Sequence, residues 1–501
     1  MMKRYLTVTI LLASGLCSFA QSINSTVDVS NDFAASFSAA DRKDIPMSSP
    51  DSLRQFRKDF DYSVFENPYK GSYEFVSDYV TPRDSNRFFS GKKFYLNGKP
   101  RQLRGVNRHQ DWDGKGWAIT REDERTDVGW MKRMGADGVR GCHYPQSDSY
   151  YSVCDAEGLM AWCEVSFVND MTDSAAFRTN LLTMAREMVV QRKHHPSIVC
   201  WGLFNELYSC TKTPNGTMEP LIRDEKELIR SLDPSRITVA ASNRLRKPEL
   251  NSIPDFVTFN VYHGWYGGRY NDEWWYEGTI DGTEDLLAMK MIAKLREANG
   301  LGIVGLGEYG AAGAIAVHGD YLGYVRYSEE YQALVHRANY RSIVRDPKVW
   351  GAFIWEMFDS GSDSRQEIER PGINNKGLVT YDRKEAKDAF WFYKANWNPE
   401  PLLHLVGTRM TSTTNATATV CGFSNAGDVT LAVNGREIGT KTPDEVRCAI
   451  WKGVPLVPGA NRIELRCGER TATAVWTRRS LPAPMKAIPA PADNGGELAP
   501  N

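Results

Sequence analysis

Along the middle of the chain, apolar residues come in short unbroken runs rather than in strict alternation with polar ones. The clearest is Ile198-Val-Cys-Trp-Gly-Leu-Phe204, which stops on two polar residues, Asn205 and Glu206. A continuous run of this length marks a strand buried on both faces, as in a parallel sheet. Similar strands are predicted at Leu103–Asn107, Gly138–Cys142, Leu159–Glu164, Ile237–Ala241, Phe256–Asn260, Leu301–Gly307 and Val349–Trp355. Helical patterns separate them. Thr120-Arg-Glu-Asp123 is a capping box opening a helix to Met134, and further helices are predicted at Ala175–Arg192, Glu219–Leu232, Thr283–Ala298, Ser328–Arg345 and Arg383–Ala395. Strands alternating with helices in this way predict an α/β fold, a closed (β/α)8 TIM barrel. An open doubly wound sheet is the rival. The first strand is not followed by a Gly-rich phosphate loop, which counts against it.

The flanks read differently. Lys3 and Arg4, the apolar run Tyr5–Leu16 and the small residues around Ala20 predict a signal peptide over residues 1–20. That implies export across the inner membrane, to the periplasm or beyond. The run is too short to span a bilayer permanently, and Leu16 before Cys17 is too bulky for the usual lipid-attachment site. Residues 21–92 are polar, then aromatic, and read as an arm of undefined structure with a short helix over Ser52–Phe60. Phe94-Tyr-Leu-Asn-Gly-Lys99 is a hairpin signal that opens the expected barrel region, 93–400. Over 401–480 short strands at Thr417–Phe423, Val429–Asn434 and Arg462–Arg466, with Asn434-Gly435 as a turn, predict a small immunoglobulin-like β-sandwich. Residues 481–501 are Pro- and Ala-rich and are expected to be disordered.

Composition narrows the function classes. Against 62 acidic residues stand 61 Lys and Arg, so nothing points to nucleic acid or an anionic membrane surface as partner. Aromatics make up 11% of the 501 residues, and flat rings suit sugar faces. The nine cysteines show neither zinc spacing nor a disulfide framework. Cys142, Cys154, Cys163 and Cys200 read as buried thiols. A Cys421–Cys467 pair is conceivable but not expected.

The predicted strands end on polar residues: Asn107-Arg108-His109, His143-Tyr144-Pro145, Glu164, Asn205-Glu206, Tyr262-His263 with Trp265, Glu308-Tyr309 and Trp355-Glu356. Any one of these, His143 for example, is more commonly an ordinary hydrogen-bonded side chain. Together they crowd one end of the barrel, where such folds build active sites. Glu206 and Glu308, from the fourth and seventh strands, can face each other across the mouth. Glycoside cleavage needs that pair: one acid protonates the leaving oxygen and the other attacks or stabilises the sugar carbon.

Two stretches carry a family resemblance. Val139-Arg-Gly-Cys-His-Tyr-Pro145 followed by Tyr150-Tyr151, Asp155 and Gly158, and Lys193-His-His-Pro196 through Trp201-Gly202 to Asn205-Glu206, resemble the two signatures of glycoside hydrolase family 2. The likeness runs from Lys93 to Trp397 and extends to the sandwich. His194 departs from it, since the family usually has Asn there. The resemblance implies Glu206 as general acid/base, Glu308 as nucleophile, Asn205 on the sugar 2-hydroxyl and Tyr262 beside the nucleophile. It implies His109, His143 and Trp355 as walls and floor of the sugar subsite, with Trp265 nearby. A retaining mechanism would set the two carboxyl groups about 5–5.5 Å apart. Asn374-Asn375-Lys376 resembles the Asn-x-Lys motif with which family β-glucuronidases grip a sugar carboxylate, a charge-assisted contact. Gly372–Arg383 also resembles the matching stretch of secreted β-galactosidases. The expected activity is that of a secreted exo-β-galactosidase, with β-glucuronidase as the alternative. The expected partner is a glycoside or oligosaccharide, without nucleic acid or membrane insertion, and no metal or other cofactor is required. Oligomeric state is not indicated. Family members usually carry a jelly-roll and an immunoglobulin-like domain before the barrel, and residues 21–92 are too few for either. A weak or inactive carbohydrate-binding barrel is therefore an alternative of another class. The presence of both acids and Asn205 argues against it. A cellulase-like or mannanase-like barrel shares the Asn-Glu pair but gives no reason for His143-Tyr144-Pro145.

Overall fold

The computed structural model describes residues 102–480 apart from 208–214, 245–247, 267–302, 324, 364, 366 and 369–370, together with the backbone of three short strands before residue 102. Eight parallel strands close into a barrel: β1 (Leu103–Arg108), β2 (Gly138–Gly141), β3 (Met160–Glu164), β4 (Ile198–Asn205), β5 (Ile237–Ser242), β6 (Phe256–Asn260), β7 (Val304–Tyr309) and β8 (Val349–Ile354). Each pairs with its sequence neighbours, and β8 closes on β1 through Gly351 opposite Leu103. The unbroken apolar runs are explained by this: β2, β3, β4, β6, β7 and β8 are buried at every residue. β7 runs through Tyr309, so Glu308 lies inside the strand rather than after it.

Leu103, Met160, Phe256 and Trp350 near the strand starts, with Trp162, Val239 and Phe353 further along, form one apolar cluster. This plug closes one end of the barrel. The polar residues of the strands collect at the other, C-terminal end. Two glycines make room there. A Cβ on Gly202 would lie 2.2 Å from the Glu164 Cβ, and one on Gly307 would lie 2.7 Å from the Asn260 side-chain oxygen.

Around the barrel run α1 (Arg121–Met134), α2 (Asp148–Glu157), α3 (Ala175–Arg192), α4 (Asn215–Leu232), α5 (Glu329–Arg345) and α6 (Asp388–Trp397). Thr120 and Asp123 make the expected capping box on α1. Helix α2, capped by Ser147, was not predicted. Helix α6 starts later than the predicted Arg383, because Arg383 sits at φ 59° in a turn and its guanidinium is spent on Asp127. The predicted helix Thr283–Ala298 lies outside the described residues, as do the signal peptide, the Ser52–Phe60 helix and the tail. Lys93–Leu96 and Lys99–Arg101 form the expected hairpin, and Glu74–Val76 adds a third strand.

After α6 the chain forms two sheets, of three and five strands. Val420, Leu431, Trp451, Ile463, Leu465 and Trp476 from both sheets share one core. The sandwich is tied to the barrel by Arg337–Asp444 at 2.9 Å, His404–Asp388 at 2.7 Å and Arg409–Glu329 at 2.8 Å. Among the described cysteines all are free and buried, Cys421 and Cys467 included. No helix among the described residues is long and apolar enough to cross a membrane.

One buried charge in the scaffold carries a stability prediction. Glu225 on α4 is fully buried, and neither carboxylate oxygen has a hydrogen-bond partner among the described residues. Burial pushes its pKa well above the usual carboxylate range. The sign follows from linkage. The folded value exceeds the unfolded one, so this group's contribution is most favourable below about pH 4.3 and is lost as pH rises through the folded value. Glu225→Leu, which suits the helix, should therefore stabilise the protein by about 1–3 kcal/mol at pH 8. The gain should vanish near pH 4 in urea unfolding. A gain that does not depend on pH would contradict this account.

Candidate active site

The C-terminal mouth of the barrel is organised on a buried cation. Arg140, in β2, is fully buried. It forks onto Glu164 of β3, Nε to Oε2 at 2.9 Å and Nη2 to Oε1 at 3.0 Å. Its remaining N–H groups reach Asn107 Oδ1 at 3.1 Å, Glu308 Oε1 at 2.8 Å and Asn205 Oδ1 at 2.8 Å. The Trp162 ring lies beneath it, 4.7 Å from the guanidinium carbon. Burial alone would lower the guanidinium's pKa; Glu164 and then Glu308 outweigh it and raise it. Glu164 is held low in spite of its burial, by Arg140 first and His143 next.

Glu308 accepts a second hydrogen bond, from the Tyr262 hydroxyl to Oε2 at 2.6 Å. Its backbone pairs in register with Asn260 at the end of β6. The Asn260 amide reaches the end of β4, donating to Glu206 Oε1 at 2.8 Å and to Asn205 Oδ1 at 3.0 Å. Glu206 follows β4 in the left-handed region at φ 51°, its N–H bonded to Ala241 O at 2.9 Å. This backbone turn carries its carboxyl toward Asn260. Burial raises the Glu206 pKa, and the charge of Glu308 raises it further. Glu206 and Glu308 therefore share one end of the barrel, and the charge of Glu308 is felt at Glu206.

Asn205 is oriented by acceptance. Both Arg140 and Asn260 donate to its Oδ1, so its NH2 is turned to donate and has no partner among the described residues. His143 Nδ1 lies 2.8 Å from Glu164 Oε1 and 3.1 Å from Arg140 Nη2. Its Nε2 lies 3.7 Å from Glu308 Oε1. His143 stacks on Trp355 at 5.3 Å, and His109 meets the same indole edge-on at 5.4 Å. Burial, then the neighbouring His143, Arg140 and Arg108, depresses the His109 pKa to about 3, so its ring is neutral.

A second group sits on the loop after β8. Lys376 has no solvent exposure. Its ammonium lies 3.3 Å from Asn374 Oδ1, 3.6 Å from Glu367, and 5.2 Å and 5.7 Å from the Tyr266 and Trp265 ring centres. Tyr266 packs edge-on against Tyr262 at 4.9 Å, which links this group to Glu308. Trp265 is buried behind Lys376, against Tyr327 and Arg326, and does not meet the two acids directly.

The expected site residues thus fall into two adjoining sets: Glu206, Glu308, Asn205, Tyr262, His109, His143 and Trp355, and then Asn374, Lys376 and Trp265. Asn107 and Glu164, which the sequence placed at strand ends without a role, complete the network with Arg140 and Asn260. The usable signal was Arg140 itself, a lone cation in a strand buried on both faces, which demands buried acids around it.

A parallel barrel with a carboxyl of raised pKa facing a second, doubly hydrogen-bonded carboxylate has the architecture of a glycoside hydrolase. The chain belongs to glycoside hydrolase family 2: the model of that family's TIM barrel domain matches residues 89–399. Over 387 residues it is 37% identical to a β-glucuronidase of Bacteroides fragilis, covering 75% of this chain and 53% of that protein. An FMN-binding β-glucuronidase structure from Facaelibacterium prausnitzii superimposes with a TM-score of 0.70 at 32% identity, covering 78% of this chain and 58% of the other. A Bacteroides fragilis structure described as a β-galactosidase gives 0.69 at 32% identity, covering 78% and 57%. The chain spans about half the length of the curated relatives it matches.

Proposed function

We propose that this protein is a retaining exo-β-glucuronidase. Glu206 holds a proton because burial and the facing Glu308 disfavour its charged form, and it delivers that proton to the glycosidic oxygen. Glu308, positioned by Arg140 and Tyr262, attacks the anomeric carbon to form a glycosyl-enzyme. Glu206, now a carboxylate, takes a proton from the water that releases the sugar. The Asn205 NH2 is placed for the 2-hydroxyl, a contact that strengthens as the oxocarbenium character grows. The neutral rings of His109 and Trp355, with His143, offer a floor for the sugar.

The observation that carries the choice of sugar is Lys376. Its ammonium is fully buried and its facing acid, Glu367, is 3.6 Å away, longer than a close ion pair. A neutral galactosyl group gives no reason to bury a cation there, whereas a glucuronate carboxylate does. The names of the relatives support the same reading. It reverses the order expected from the sequence, where galactosidase stood first, because the sequence cannot tell whether Lys376 braces its loop or lies against the aromatic group beside Glu308.

Lys376→Ala tests this directly on a pair of aryl β-glycosides. The kcat/KM for the glucuronide should fall about 10- to 100-fold, the worth of one hydrogen bond to a charged group. The value for the galactoside should change far less. Glu367 keeps its bonds to the Asn375 N–H at 2.8 Å and Arg365 at 3.4 Å, so the loop is expected to hold. Equal losses on both substrates, or a selective loss on the galactoside, would return the galactosidase reading to first place.

A further inference from the structure

The geometry points to a second site, unrelated to sugar: we propose that Asp148, His194 and His195 bind a transition-metal ion of the zinc class. The three residues come from the first turn of α2 and from the turn between α3 and β4. One ligand atom of each lies within 4.8 Å of the others. The arrangement is ordered rather than accidental. His195 Nδ1 lies 2.6 Å from Asp155 Oδ2, and the other oxygen of Asp155 accepts the Ser197 N–H at 2.9 Å. Asp155 holds a proton on Nδ1, the usual support for a metal-bound histidine, and Nε2 faces Asp148, so an entering ion takes the place of the Nε2 proton and releases it. That Nε2 is 3.1 Å from Asp148 Oδ1, and His194 Nε2 is 3.9 Å from the same oxygen.

Ligand atoms around a tetrahedral zinc ion stand about 3.3 Å apart, given metal–ligand bonds of about 2.0–2.1 Å. A small movement of His194 closes the set. Access is asymmetric in the way an ion site needs. The His195 side chain is 3% exposed and held, while those of His194 and Asp148 are 51% and 64% exposed and open to solvent. Two imidazoles and one carboxylate suit zinc better than magnesium or calcium, which prefer oxygen alone. The ion would staple α2 to the segment that feeds β4, the strand ending on Asn205 and Glu206. It requires nothing of the sugar site.

The test uses the untagged full chain, stripped with chelator and then desalted. Titration calorimetry with zinc chloride alone should show one ion per chain, and thermal unfolding should shift upward by a few degrees in excess zinc. His194→Asn and Asp148→Asn should each weaken binding tenfold or more and abolish the thermal shift. The His194 side chain is largely exposed and makes only the distant contact to Asp148, so the metal-free unfolding temperature of His194→Asn should match the parent. Cys142→Ser serves as the control, since His109, Cys142 and His143 form the other grouped set of ligand atoms among the described residues. It should leave zinc binding unchanged. Absent saturable binding, undiminished affinity in both variants, or loss confined to Cys142→Ser would overturn the assignment.

Discussion

Glu308→Gln is expected to lower kcat on an aryl β-glucuronide by roughly 10⁴–10⁶-fold while leaving the fold intact. Losing a nucleophile costs about that much in enzymes whose catalytic groups act as a unit. The substitution keeps shape and hydrogen-bonding capacity. The amide oxygen can still accept from Arg140, now 2.8 Å from Oε1, and the Tyr262 hydroxyl can turn to accept from the amide NH2 instead of donating. Glu206 should feel the change. Burial is the larger cause of its raised pKa and stays, whereas the charge of Glu308 is the second cause and goes. A glucuronic-acid lactone should therefore still bind, with turnover lost. Substantial residual turnover would remove Glu308 from the mechanism. If the parent chain itself turns over neither glucuronide nor galactoside, the sugar-binding reading takes over.

How legible was this from sequence? Barrel strands are buried on both faces, so they write themselves as unbroken apolar runs. Ile198–Phe204 needed no tertiary information, and the polar pair that ends it placed Glu206. The helices that carry clear caps were equally readable, as Thr120 with Asp123 shows. Helix α2 was passed over because Asp148 to Glu157 mixes tyrosines and cysteine with short polar residues, a pattern that favours no single period. The site was half legible. The acids stand at strand ends in plain view, but the groups that aim them do not. Asn260 matters only because strand register sets it beside Glu308, and Arg140 only because four other strands bring their oxygens to it. The role of Lys376 hangs on a loop returning beside Tyr266, a contact that spans more than a hundred residues of chain.

Arg140→Met should cost more stability than any other single change at the mouth, about 3–5 kcal/mol at neutral pH, the penalty for leaving a buried charge without its partner. The stranded charge is Glu164, 1% exposed, which keeps only His143 at 2.8 Å. The pH dependence gives the mechanism away. In the parent, the Glu164 pKa is held low, so its favourable contribution is present above the unfolded value of about 4.3 and fades as pH falls through the folded value. In the variant, burial dominates and the folded value rises above the unfolded one, so stability is lost as pH increases. The gap between the two proteins should therefore be wide at pH 7 and narrow toward pH 4. Adding Glu164→Gln removes the stranded charge, and the double variant should recover much of the stability. It should recover little of the turnover, because Glu308 and Asn205 each keep only one of the two donors that fix them, Tyr262 and Asn260 respectively. A double variant that regains activity along with stability would show that Arg140 serves the fold alone.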